Sequence, residues 1–263
     1  MNIVVDDEVR WSIDFLYMTG DLIAHNIWET TREENIKQIR DQAALFYEVL
    51  GKNIKIFPVL GNHEPHPANI LAPPKIENYS GEWLYEAFFD SWCKHFPSEA
   101  KSTFMKGGYY TVTPTPGFRI IGLNSLFGYV FNWWMILDPK DPADQLQWLR
   151  DTLLLAETRR EKVHILMHGP SVETDTLQVW NREYNRIIER FQSTIVGQFL
   201  GHTHRDQFYV YYSPRTNKPV SVAWNGGSVT PFTNVNPNYR IYTIHKQTLV
   251  NQRFIFNAVI ETF

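Results

Sequence analysis

The chain has 263 residues, a formal charge of −3 and a hydrophobic fraction of 43%, which suits one large α/β domain and leaves little room for two. The slightly acidic balance and the absence of a Lys/Arg cluster argue against a nucleic-acid partner. A single cysteine, Cys93, excludes an internal disulfide, and no apolar run is long enough to span a bilayer.

In chain order, residues 1–10 carry Asp6, Asp7 and Glu8 and no apolar stretch, so they do not read as a signal peptide. Residues 13–18 form an apolar run that stops at Gly20, as a buried strand would. Residues 31–50 have helical spacing, with Gly51 as the stop. A short strand at 55–60 ends at Gly61, and a helix is expected near 82–96. Residues 109–124 read as a hairpin turning at Pro114-Thr115-Pro116-Gly117. A helix over 144–159, a strand over 163–167, a helix over 184–194 and a strand over 195–200 follow, and the remainder is mainly strand-like. This alternation predicts one layered α/β domain over residues 1–263.

Four of these strands run into polar clusters. They are Gly20-Asp21 with His25, Gly61-Asn62-His63-Glu64, His168 alone, and Gly201-His202-Thr203-His204. Taken singly, each fits a turn, a helix cap or a satisfied histidine. Together they place Asp, Asn and His donors beyond the carboxyl ends of strands, where α/β sheets bind ligands, and these donors suit Zn, Fe or Mn. In a strand-like Gly-His-Thr-His, the two histidines would share one face.

The clusters, in this order, resemble the calcineurin-like metallophosphoesterases, and specifically the acid sphingomyelinase family. Residues 17–26 (YMTGDLIAHN), 58–64 (PVLGNHE), 141–149 (DPADQLQWL), 198–208 (QFLGHTHRDQF) and 236–242 (NPNYRIY) carry the likeness, which spans roughly 12–250. The resemblance implies a sheet sandwich flanked by helices and two zinc ions. Asp21 would bridge them, Asn62, His168 and His202 would complete one ion, and His204 would serve the other. His63 would be the general acid, and His25 would lie near the substrate.

The family pattern also has a D-x-H pair on a first strand. None of the aspartates here is followed two residues later by histidine. The chain is therefore expected to start after that strand, with the second zinc site incomplete and without the family's saposin-like domain. The implied reaction is hydrolysis of sphingomyelin to ceramide and phosphocholine. Two alternatives stay open: a phosphodiesterase or phosphatase acting on nucleotides or other soluble phosphoesters, and a catalytically dead binding or regulatory protein. Expected partners are a lipid or small phosphodiester, with peripheral membrane contact. The family is secreted or lysosomal. The sequon at Asn78 fits secretion, and the sequence assigns no oligomeric state. The aromatic run 131–135 fits a cleft, a lipid surface or the core equally well.

Overall fold

The computed structural model describes residues 13–258. The acidic segment 6–8 lies outside the described residues. Ten strands are described: β1 (Phe15–Met18), β2 (Lys55–Pro58), β3 (Tyr110–Thr115), β4 (Phe118–Gly122), β5 (Lys162–Leu166), β6 (Ile195–Leu200), β7 (Gln207–Tyr212), β8 (Pro219–Asn225), β9 (Asn238–Ile244) and β10 (Asn251–Ala258). Five helices accompany them: α1 (Arg32–Leu50), α2 (Glu82–Trp92), α3 (Ser98–Gly107), α4 (Gln145–Thr158) and α5 (Gln178–Arg190).

A mixed six-stranded sheet, ordered β3-β4-β5-β6-β8-β7, forms the centre, and β1 pairs in parallel with β2. The four inner strands of the large sheet run parallel, while β3 and β7 are antiparallel edges. Inner strands of a covered sheet need apolar residues on both faces. The sequence supplies them in alternation. Ile121, Ile165 and Leu200 pack with Leu149, Leu153, Trp180 and Ile188 of α4 and α5. Their neighbours Ile120, Leu166 and Phe199 face the other way, toward β1, β2 and α1 to α3. Two ring pairs join the sheets across that side: Phe15 against Phe118 and Tyr17 against Phe199. This is the sheet sandwich flanked by helices that the sequence predicts.

Thr31 caps the N-terminus of α1, accepting from the Glu34 amide at 3.2 Å and donating its hydroxyl to the Glu34 carboxylate at 3.1 Å. Asn35, Ile39 and Ala43 recur four residues apart on its buried face. The predicted helix 82–96 stops at Trp92, and a separate α3 follows that the sequence reading missed. Helix α5 begins at Gln178, six residues before the predicted start, because Trp180 and Tyr184 are both buried against the large sheet.

Candidate metal centre

Asp21 lies three residues beyond β1, Asn62 four beyond β2, His168 two beyond β5 and His202 two beyond β6. All four therefore sit past carboxyl ends of parallel strands, at the seam between the two sheets. Their donor atoms converge. The His168 Nε2 atom is 3.1 Å from Asp21 Oδ2, 2.9 Å from Asn62 Oδ1 and 3.1 Å from His202 Nδ1, and His202 Nδ1 is 3.0 Å from Asn62 Oδ1. Ligands held about 2.0–2.2 Å from one cation are spaced on this scale.

The tautomers are set from behind. His168 Nδ1–H donates to the Thr19 carbonyl at 2.6 Å, so its Nε2 lone pair faces the cluster. His202 Nε2–H donates to Asp175 at 2.8 Å, so its Nδ1 lone pair does the same. Asn62 Nδ2 donates to Asn69 at 2.8 Å, which turns the amide oxygen inward. Four acceptors facing one point, each fixed by a partner on its far side, suit a cation. Burial acts to raise the Asp21 carboxyl's pKa. When His168 is protonated instead of facing a cation, its charge and hydrogen bond, followed by those of His63, outweigh burial and hold Asp21 well below the usual carboxylate range. Burial likewise acts to lower the pKa of His168, and the Asp21 carboxylate overrides it and raises it.

Backbone conformation makes the convergence possible. Asp21, His202 and His204 all have left-handed φ, of 59°, 75° and 60°. A Cβ on Gly61 would lie 2.2 Å from Asp21 Oδ1, and one on Gly20 would lie 2.5 Å from the Gly61 nitrogen. Glycine at both positions lets the two loops touch. The buried Glu64 carboxylate then ties them, accepting from the amides of Asp21 at 3.1 Å, Leu22 at 2.5 Å and Gly61 at 2.5 Å. Asn35 of α1 donates to the Glu64 carbonyl at 3.1 Å and anchors the same loop.

His204 sits apart from this cluster. Strand β6 ends at Leu200, and the left-handed turns at His202 and His204 remove the shared face that a continuous strand would provide. Among the described residues, the group close enough to share one ion is Asp21, His168 and His202, with ligand atoms all within 4.8 Å of one another, and His204 is outside it. Its Nδ1–H donates instead to the Phe232 carbonyl at 2.6 Å, and its Nε2 is 3.4 Å from His25 Nε2. His25 stacks on Phe232, and burial together with His63 and His204 pushes its pKa down to about 4. His63 is buried, its Nδ1–H donates to the Ile23 carbonyl at 2.9 Å, and its Nε2 is 3.8 Å from Asp21 Oδ2. Asn78 is exposed in a short turn, Glu77–Tyr79.

Asp175, Glu64, Asn69 and Phe232 were not given roles by the sequence reading. Only Glu64 had a signal, its place beside Asn62 and His63. The others reach the site from loops whose path no periodicity encodes.

The calcineurin-like phosphoesterase pattern matches residues 4–206, most of the chain. The chain belongs to the calcineurin-like phosphoesterase family. A divalent-metal centre follows from that membership, and the converging donors fit one. The chain is 43% identical to a sphingomyelin phosphodiesterase of Bos taurus over 88% of its own length and 37% of the relative's. It is 42% identical to the Homo sapiens protein of that name over 88% and 36%. It is also 34% identical to a cyclic GMP-AMP phosphodiesterase of Mus musculus over 87% and 53%. The chain thus spans well under half the length of the sphingomyelin phosphodiesterases named here. A dimetal phosphatase from Danio rerio shares the fold, with a TM-score of 0.58, 14% identity and coverage of 95% and 82%. The resemblance to acid sphingomyelinases read from the sequence is borne out, as is the metallophosphoesterase fold.

Proposed function

We propose that this phosphoesterase hydrolyses a phosphodiester, with sphingomyelin as the substrate and zinc as the metal. The observation that carries the reading is the four-donor cluster of Asp21, Asn62, His168 and His202, together with the identity to sphingomyelin phosphodiesterases across nearly all of the chain. A cation held there supplies Lewis-acid polarisation of the phosphoryl group and lowers the pKa of water. The chain's own residues do the rest. Asp21 sets the cation's position against Asn62 and the two histidines. His63, with Nδ1–H fixed on Ile23, turns Nε2 toward Asp21 and the metal centre, where it serves as general acid for the leaving alkoxide. His25 lines the same opening, neutral and stacked on Phe232, and contacts the substrate. His204, with its Nε2 toward His25, would serve a second cation with Asp21. Carriage of a glycan at Asn78, in a secreted or lysosomal setting, belongs to the same reading.

A second substrate reading, a cyclic or linear nucleotide diester, is favoured by the identity to the cyclic GMP-AMP phosphodiesterase. Turnover of sphingomyelin against cyclic GMP-AMP, in the presence of zinc, separates the two. Faster turnover of the nucleotide would replace the sphingomyelin assignment. His63→Ala is expected to lose about 10²–10⁴-fold in turnover and to keep its metal, since general acid catalysis contributes on that scale. A variant turning over at the parent rate refutes the role of His63.

A further inference from the structure

The turn that carries His202 and His204 is clamped from beneath by one buried amide. Asn225 ends β8 and pairs in register with Leu200, the last residue of β6. It is fully buried. Its Nδ2 donates to Thr203 Oγ1 at 3.0 Å, to the Arg205 carbonyl at 2.8 Å and to the Gly226 carbonyl at 2.9 Å. Three oxygens around one amide nitrogen fix its orientation, since a flipped amide would set oxygen against two carbonyls. Asn225 Oδ1 has no hydrogen-bond partner among the described residues, so the side chain acts here as a donor. Gln207, the register partner of Asn225 on β7, adds a second donor to Thr203 Oγ1 at 3.1 Å.

Thr203 and Arg205 flank His204 in the chain. The backbone of His204 is left-handed, with φ of 60°. A residue with a Cβ holds that conformation only where its surroundings over-determine it. The clamp on both neighbours supplies that constraint, and the Phe232 carbonyl then orients the ring through Nδ1–H. His202 is less dependent on the clamp. Its ring is held by Asp175 behind and by Asn62 and His168 in front. We propose that Asn225 is a positioning residue that, through Thr203 and Arg205, sets the His204 imidazole for a second cation. The inference rests on the second-cation reading of His204 above. It separates the two histidines by what supports them: side-chain partners for His202, the β8 end for His204.

The test is a calorimetric titration of the metal-free protein with zinc, alongside exchange of the His204 Nδ1–H with water followed by NMR. The parent is expected to bind a first and a second equivalent. Asn225→Ala, and Thr203→Val, which removes the acceptor at nearly equal size, are expected to bind the second about 10–100-fold more weakly and the first like the parent. In both, the His204 Nδ1–H is expected to exchange at least about tenfold faster. Thr203→Ser keeps the acceptor and is expected to match the parent in both measurements, which separates positioning from a folding defect. Equal weakening of both zinc steps, a second step as tight as the parent's, or unchanged exchange at His204 would each overturn the proposal. If the parent binds only one equivalent while exchange at His204 still quickens in the variants, the positioning role stands and the second-cation reading falls.

Discussion

His202 is gripped from two sides, by the Asp175 carboxylate at Nε2 and by the donor cluster at Nδ1. Partners behind a metal-binding imidazole fix its tautomer and raise its basicity, and their removal typically costs 10–100-fold in metal affinity. Asp175→Asn is expected to weaken zinc binding by about that factor in a competition titration with a chelator. Equal affinity in variant and parent would show that Asp175 does not position His202. Gly61 makes an equally sharp case. A methyl group there meets Asp21 Oδ1 at 2.2 Å and its nitrogen at 2.4 Å, so either Asp21 or the loop must move. Gly61→Ala is expected to cost about 1–3 kcal/mol in chemical denaturation and to reduce metal content. Full retention of both would mean the two loops are looser than their contacts imply.

At the scale of elements, His164 of β5 fastens three pieces together. Its Nε2–H donates to the Leu249 carbonyl in the β9–β10 turn at 2.9 Å, and its Nδ1 accepts from Tyr17 of β1 at 2.8 Å. Burial pushes its pKa from 6.5 down to about 4. The folded-state pKa is depressed, so the unfolded chain binds the extra proton first. The stabilisation is complete above pH 6.5 and is lost as pH falls toward 4, by about 3 kcal/mol at most. His164→Gln keeps the hydrogen-bonding shape without the titration. Its stability, measured by denaturant unfolding across this range, should fall by about that much less than the parent's. Parallel pH profiles would contradict the assignment.

The elements also show what could be read beforehand. Strands β1, β2, β5 and β6 were legible because short apolar runs stop abruptly at Gly or His. Helix α1 announced itself through Thr31, Glu34 and its four-residue spacing. Helix α3 did not, since only Ala100, Phe104 and Gly107 of its ten residues are buried.

Over the whole molecule, the centre draws Asp21 and Asn62 from the small β1–β2 sheet, and His168 and His202 from the large one. A cation there would staple the two sheets. Which strands end in ligands was legible from the sequence. How those ends turn was not, and the difference is visible at His204. The Gly-His-Thr-His string predicted two ligands on one face, whereas left-handed φ at both histidines sends one to the cluster and the other to His25 and Phe232. Asp175 meets His202 across 27 residues, through tertiary packing that no local pattern encodes. Metal content per chain tests this metal centre most directly. The zinc-loaded parent, after removal of free ion, should retain at least one equivalent, and His202→Ala should retain far less. A parent that holds no divalent metal, or a His202→Ala variant that holds as much as the parent, would contradict it.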